Sequence, residues 1–404
     1  MISTFPFDLL EEIFVTAQIH DLPFAEQYQV EGNAALATAV SQVCQHWRDA
    51  ALQCSALWTY IPYIGSQQPQ CALQLSESIK RASGRLLTLF VQFHVKCDND
   101  ELGIIKGWVN NHVGQLKYLS IDGIDPEFDP TRIHLGLMPL GEPRFTHNII
   151  GAGKAPFLRS LSFSVADGAK RYIASGLPGY FRDGFGALEN IRVARLGTAS
   201  NLDIVKGLTT VVLDNINMRY ARELILGPSA STLTHLSLGQ EERRQLPPTI
   251  DPLILTALHT LVMSHNSIGI LHVSTPHLKV LKLHDYNILW ISRLLSVHES
   301  LSLAQVEALY VHFSDFRVRD RDFHEGLLES MFLALPRVKH LELVGSIHQV
   351  ESLLIPWRNM LGNNVTQNWP ELQKCTVESD RARTILADAL HQAGRWTVEV
   401  SVRS

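Results

Sequence analysis

Paired cysteines are missing from this chain. Its five cysteines, Cys44, Cys54, Cys71, Cys97 and Cys375, form no CxxC or CxxxxC pair. That spacing argues against both a disulfide framework and a zinc site. Long apolar runs are missing too, since none approaches the roughly 18 residues of a membrane span. The opening MISTFPFDLLEEIF carries no basic segment and soon turns acidic, unlike a secretory leader. These absences predict a reduced chain of the cytoplasm or nucleus with no membrane partner.

Charge excess and catalytic signatures are also wanting. The 35 basic and 40 acidic side chains leave a net charge of −5, which gives no nucleic-acid footprint. Neither HExxH nor GxSxG occurs. The run Gly151-Ala-Gly153-Lys154-Ala155 echoes a phosphate loop, but Asn148 stands where its first glycine belongs and Ala155 where Ser or Thr is needed. The expectation is a chain that is not an enzyme and takes no cofactor or metal. An enzyme or small-ligand receptor remains the least supported reading, because it needs a pocket with convergent polar groups.

What is present divides into a head and a body. Residues 1–64 hold seven acidic side chains against one basic, Arg48, whereas the remainder is close to neutral. Pro6 followed by Leu9, Leu10, Ile13, Phe14 and Ala17 predicts a helix with proline and acidic residues at its start. Residues 20–33 read as a loop. Periodicity resumes from Ala35 to Ala51, where Val43, Trp47, Ala50 and Ala51 follow helical spacing, and Ser55 opens a turn carrying Leu57 and Trp58. So apolar a surface is either the core of a helical cap or a face that needs a partner.

The body repeats one pattern, apolar-x-x-apolar-x-apolar, eleven times. It starts at Leu86, Leu116, Leu158, Leu188, Leu208, Leu233, Leu258, Leu278, Val306, Val338 and Leu372. One such match means little; eleven in series predict stacked units that share a core, each with a short strand and a return segment. Helical returns are expected at 101–113, 218–227, 288–297, 322–335 and 349–361. Residues 126–150 and 239–252 read as insertions, with a helix at 381–393 and the segment 396–402 closing the body. The residue between the last two apolar positions of each unit lines an open face. That row includes Ser120, Ser162, Arg192, Ser237, Val262, Lys282, Tyr310, Glu342 and Thr376, spans roughly 48 Å at about 4.8 Å per strand, and suits a protein partner. Candidate contacts are Arg192, Lys282, Tyr310 and Glu342, with Arg317 and Arg319 on a charged stretch, 315–322, that is either a binding loop or a solvated turn.

Phe5-Pro6 with its acidic–apolar helix, then VCQHWRDAAL (43–52), then Leu57-Trp58, together resemble an F-box. The likeness continues into a helix around Leu75–Ala82 closed by Gly84, an order similar to the F-box-like proteins of fungi. Two departures are Phe-Pro in place of Leu-Pro and a longer loop after the first helix. The resemblance implies a Skp-type adaptor, and through it a cullin–RING ubiquitin ligase, bound by Pro6, Leu9, Leu10, Ile13, Phe14, Val40, Val43, Cys44, Trp47, Leu57 and Trp58. Some of these must be head core instead. The expected fold is α/β: a three-helix F-box-like head (1–64), a connecting segment (65–115), and a curved leucine-rich-repeat-like solenoid (116–404) with a parallel concave sheet and convex helices. The expected function is a substrate receptor holding an unidentified protein target. The alternative is a repeat scaffold that joins no ligase.

Overall fold

The computed structural model describes residues 5–18, 27–64, 70–92, 105, 107–109, 111–124, 155–165, 188–194, 206–214, 221–239, 253–264, 273–286, 301, 303–313, 333–345, 369–392, 395 and 397–403. They form an α/β protein of two compact units, Met1–Thr210 with Asn215–Ile225, and Val211–Asp214 with Leu226–Ser404. The boundaries expected at residues 64 and 115 both fall inside the first unit.

The first unit opens with α1 (Phe7–Thr16), α2 (Gln27–Val43) and α3 (Gln45–Gln53), followed by a 3₁₀ turn at Ser55–Trp58. Pro6 precedes α1 at φ −57°, and its carbonyl accepts the first helical bond from Leu10 N at 3.1 Å, a place where its missing N–H costs nothing. Helix α2 begins at Gln27, inside the stretch expected to be a loop. Gln29, Val30, Asn33, Ala37 and Val40 are its buried residues, so two polar side chains on the inner face hid the apolar period. The single helix expected from Ala35 to Ala51 is broken at Cys44, whose backbone is extended. Arg48 spans that break by donating from Nε to Ser41 O at 2.9 Å, which satisfies a carbonyl the end of α2 leaves open.

Five parallel strands follow in order: β1 (Tyr60–Ile64), β2 (Leu87–Gln92), β3 (Leu116–Ile124), β4 (Ser160–Val165) and β5 (Asn190–Ala194). Between β1 and β2 runs α4 (Gln70–Ala82), ended by Ser83 and Gly84 at φ 48° and 77°, the left-handed geometry that glycine adopts at low cost. Strand β1 was not anticipated. Pro62 at its centre argues against an interior strand, and β1 is indeed an edge. Ile61, Leu89, Leu119, Leu161 and Ile191 pair in a continuous ladder, and all five are buried.

In the second unit the sheet runs β6 (Thr210–Asp214), β7 (His235–Leu238), β9 (Thr260–Ser264), β11 (Val280–Tyr286), β12 (Ala308–Phe313), β13 (His340–Val344), β14 (Lys374–Val377) and β15 (Glu399–Val402), parallel from β7 onward. Its ladder is Leu236, Leu261, Leu281, Leu309, Leu341, Cys375 and Val400. Strand entry is equally regular. The carbonyls of Thr234, His259, Lys279, Glu307 and Lys339 each accept two amide N–H groups, from the residue just before the next strand and from that strand's first residue, at 2.7–3.1 Å. Between the main strands, β8 (Leu253–Ile254) and β10 (Val273–Ser274) form a small parallel sheet of their own. Both lie outside the returns expected to be helical.

Helix α5 (Asp380–Gln392) matches its expected place and buries Ala382, Leu386 and Leu390 at helical spacing. Ser379 caps it, its Oγ accepting from Ala382 N at 3.2 Å. The terminal segment expected to close the body is instead β15, a full strand of the sheet. The returns expected at 288–297 and 349–361, the loop 315–322, the glycine run 151–154 and the insertion 126–150 lie outside the described residues. Among the described residues no helix is long and apolar enough to cross a membrane.

Candidate partner-binding surfaces

Burial separates the eleven head residues into three sets. Leu10, Phe14, Val40, Leu57 and Trp58 are buried and form the head core, which corrects their assignment to a partner-facing surface. Trp58 donates from Nε1 to Ala51 O at 2.9 Å, and the Arg81 guanidinium lies 4.4 Å from its ring centre. Trp47 and Cys44 are half-buried; Trp47 packs edge-on against Phe14 at 5.4 Å. Pro6, Leu9, Ile13 and Val43 are exposed, with Leu9 at 40%, Ile13 at 42% and Val43 at 55%.

Phe5 and Phe7, which the periodicity did not single out, are exposed as well. Phe7 stacks on His46 with ring centres 4.7 Å apart, while His46 Nε2 lies 2.7 Å from Phe5 O. A carbonyl only accepts, so the imidazole N–H sits on Nε2 and donates. The start of α1 is thereby pinned to the start of α3, three residues beyond Val43. Leu9 and Ile13 stand one helical turn apart, beside the exposed carboxylates of Asp8, Glu11 and Glu12. The outcome is an acidic-edged apolar surface on a well-packed support.

Within the first unit, Arg192 occupies the central row beside Ser162. Within the second, Lys282, Tyr310, Glu342 and Thr376 are successive neighbours in that row. The Lys282 ammonium lies 4.9 Å from the Tyr310 ring centre. Glu342 receives Arg403 at 3.6 Å and His312 at 3.5 Å, and His312 meets His284 edge-on at 4.5 Å. Arg317 and Arg319 lie outside the described residues. Sequence reasoning missed His284, His312 and Arg403, although a strand's two-residue period puts His284 and His312 on the same face as Lys282 and Tyr310. Arg403 was out of reach because β15 had been read as a cap.

Among the described residues, neither buried cysteine is an activated nucleophile. Burial pushes the Cys375 thiol up to about 12, with Arg395 opposing weakly, and burial likewise raises Cys54. Both stay protonated near neutrality and are inert. Among the described residues no group of His, Cys, Asp and Glu could hold a metal ion.

No protein-family model matches the chain, and no curated protein matches it in sequence. Among solved structures it is similar to a structural-genomics crystal structure from Bacteroides fragilis, at 13% identity and a TM-score of 0.33, covering 77% of this chain and 73% of that one.

Proposed function

We propose that this chain is a non-catalytic substrate receptor whose head binds a Skp-type adaptor of a cullin–RING ubiquitin ligase while its sheet holds a protein target. The observation that carries this reading is the exposure of Leu9, Ile13 and Val43, with Phe5 and Phe7, on a head that already has a core in Leu10, Phe14, Leu57 and Trp58. Large apolar groups left outside a complete core are the mark of a surface awaiting a partner. Such a receptor works by proximity, raising the target's effective concentration beside the ligase's conjugating enzyme.

A second reading, a repeat scaffold with a helical cap, is favoured by the packing of α2 on β1 and of α4 on the 3₁₀ turn. These contacts occupy the inner side of the head and leave the outer side of α1 unexplained.

The test is capture of a purified Skp-type adaptor by the full chain and by a Leu9→Asp, Ile13→Asp double variant. Both positions are exposed, so the variant should fold, which circular dichroism checks. Capture by the parent and a loss of at least roughly ten-fold in the variant is the expected result. A folded parent that captures no adaptor would overturn the ligase reading and leave the scaffold.

A further inference from the structure

We propose that the outer edge of β15 pairs with the same edge of a second copy of this chain, antiparallel and two-fold, so that the sheet of the second unit runs on into its partner's. This goes beyond the reading above and needs neither adaptor nor target.

Strand alternation fixes which groups that edge presents. Glu399 N donates to Gln373 O and Arg403 N to Val377 O, both at 2.8 Å. In a parallel pair alternate residues face the neighbouring strand, so Glu399, Ser401 and Arg403 turn their backbone to β14. Val400 and Val402 turn theirs outward, and among the described residues no strand lies beyond β15. The side chains of these valines extend the buried ladder, Val400 beside Cys375 and Val402 beside Val377. Cys375 and Val377 are fully buried, whereas both β15 valines are half-buried. An edge with open backbone groups and a part-covered apolar row is a template for another strand.

The occupant follows from the sequence along the edge, Glu399-Val-Ser-Val-Arg403, which is complementary to its own reverse. Antiparallel pairing sets outward-facing residues opposite one another. Centring the two-fold on Ser401 does this: Val400 meets the partner's Val402, each such pair exchanging its backbone hydrogen bonds. The same register sets Glu399 opposite the partner's Arg403, twice over. Those are the pairs without hydrogen bonds, where side chains approach most closely. A register two residues away in either direction parts Glu399 from Arg403. Lys374 and Glu342 lie 3.6 Å from Glu399 and Arg403 respectively, yet both edge charges stay exposed. Across the junction the charges then alternate: Glu342, Arg403, the partner's Glu399, the partner's Lys374. A guanidinium carries five N–H donors, enough for two carboxylates. Strand β1, the other end of the strand order, does not suit a head-to-tail chain of copies. Thr88 N donates to Thr59 O, so by the same alternation Pro62 faces outward at the centre of β1 and has no N–H to offer. Pairing of β15 with itself closes a dimer instead of opening a fibre.

Sedimentation velocity of the full chain from about 1 to about 300 μM tests this, since so small a junction suits a micromolar dissociation constant. The parent should pass from monomer to dimer over that range. Glu399→Arg and Arg403→Glu each set like charges opposite one another and should weaken dimerisation by roughly ten-fold or more. Mixed in equal amounts, these two variants should recover it, because a strand with two arginines then meets a strand with two glutamates. Val400→Pro removes an outward N–H that the fold does not use, so it should keep the parent's circular dichroism and stay monomeric. The Leu9→Asp, Ile13→Asp variant should dimerise as the parent does. A parent that stays monomeric, or that grows into species larger than a dimer, would overturn the proposal. Undiminished association in either charge variant or in folded Val400→Pro would do the same, as would a mixture that recovers no dimer. Loss of the dimer in the head variant would move the contact to the head and also overturn it.

Discussion

Two tryptophans eleven positions apart show how differently one residue type is used in the head. Trp58 is fully engaged, its Nε1 on Ala51 O and its ring under Arg81. Trp47 buries an Nε1 that has no partner among the described residues. Desolvating an unpaired donor costs about 1–3 kcal/mol, whereas a satisfied one contributes about 0.5–1.5 kcal/mol. Trp58→Phe should therefore destabilise the protein by about 1–3 kcal/mol, through the lost hydrogen bond and lost ring area. Trp47→Phe should change stability by less than about 1 kcal/mol, because removal of the orphan donor offsets the lost area. Urea unfolding followed by circular dichroism reads both, and an equal loss in the two variants would contradict the assignment.

At the scale of elements, ends and breaks are decided by single residues acting on open backbone groups. Ser379 is the clearest case: it caps α5 through Ala382 N, and α5 packs against β14 and β15. Ser379→Ala should cost about 1 kcal/mol, read as a lower urea midpoint with an unchanged slope. Gly substitution at the same position should cost only a few tenths of that, which separates the cap from any other effect of the side chain. The extended Cys44 acts in the opposite sense. By interrupting the helix it frees Val43 from the face that Trp47, Ala50 and Ala51 turn inward, and Val43 ends up exposed.

Over the whole molecule, the response to acid follows from groups whose protonation folding opposes. His235, exposed at the start of β7, is held below its ordinary value of 6.5, by partial desolvation of the ring first and by the nearby Lys282 and His259 next. Glu307 is held below 4.5 by hydrogen bonds from Lys279 and Lys339. Both folded values are depressed, so each group's contribution is present above its unfolded value and is lost as pH falls through the folded one. Stability should thus decline in two stages, first below about pH 6.5 and again below about pH 4.5. His235→Gln should flatten the first stage in denaturant melts taken between neutral and mildly acidic pH and leave the second in place. An unaltered first stage would show that His235 is not the group responsible.

The eleven repeats were legible because a strand's period is local. Wherever apolar residues alternate and one side must be buried, the register follows, and all eleven motifs fall on strands whose fourth positions pair where registers are given. The first turns of α2 were not legible, since Gln29 and Asn33 point inward and imitate a loop, and β1 was obscured by an edge-tolerated proline. The head's apolar residues could be counted from the chain but not sorted. Leu9 and Leu10 are adjacent and chemically identical, yet Leu10 is buried and Leu9 is 40% exposed. Likewise Lys279 and Lys282 read alike in sequence, yet among the described residues only Lys279 has a carboxylate, Glu307, beside it. Periodicity and pattern are properties of neighbours along the chain, so the sequence alone determined the strands and their buried ladder. Core against surface, and matched against unmatched charge, depend on which segments pack together across long separations, and the tertiary structure alone decided them.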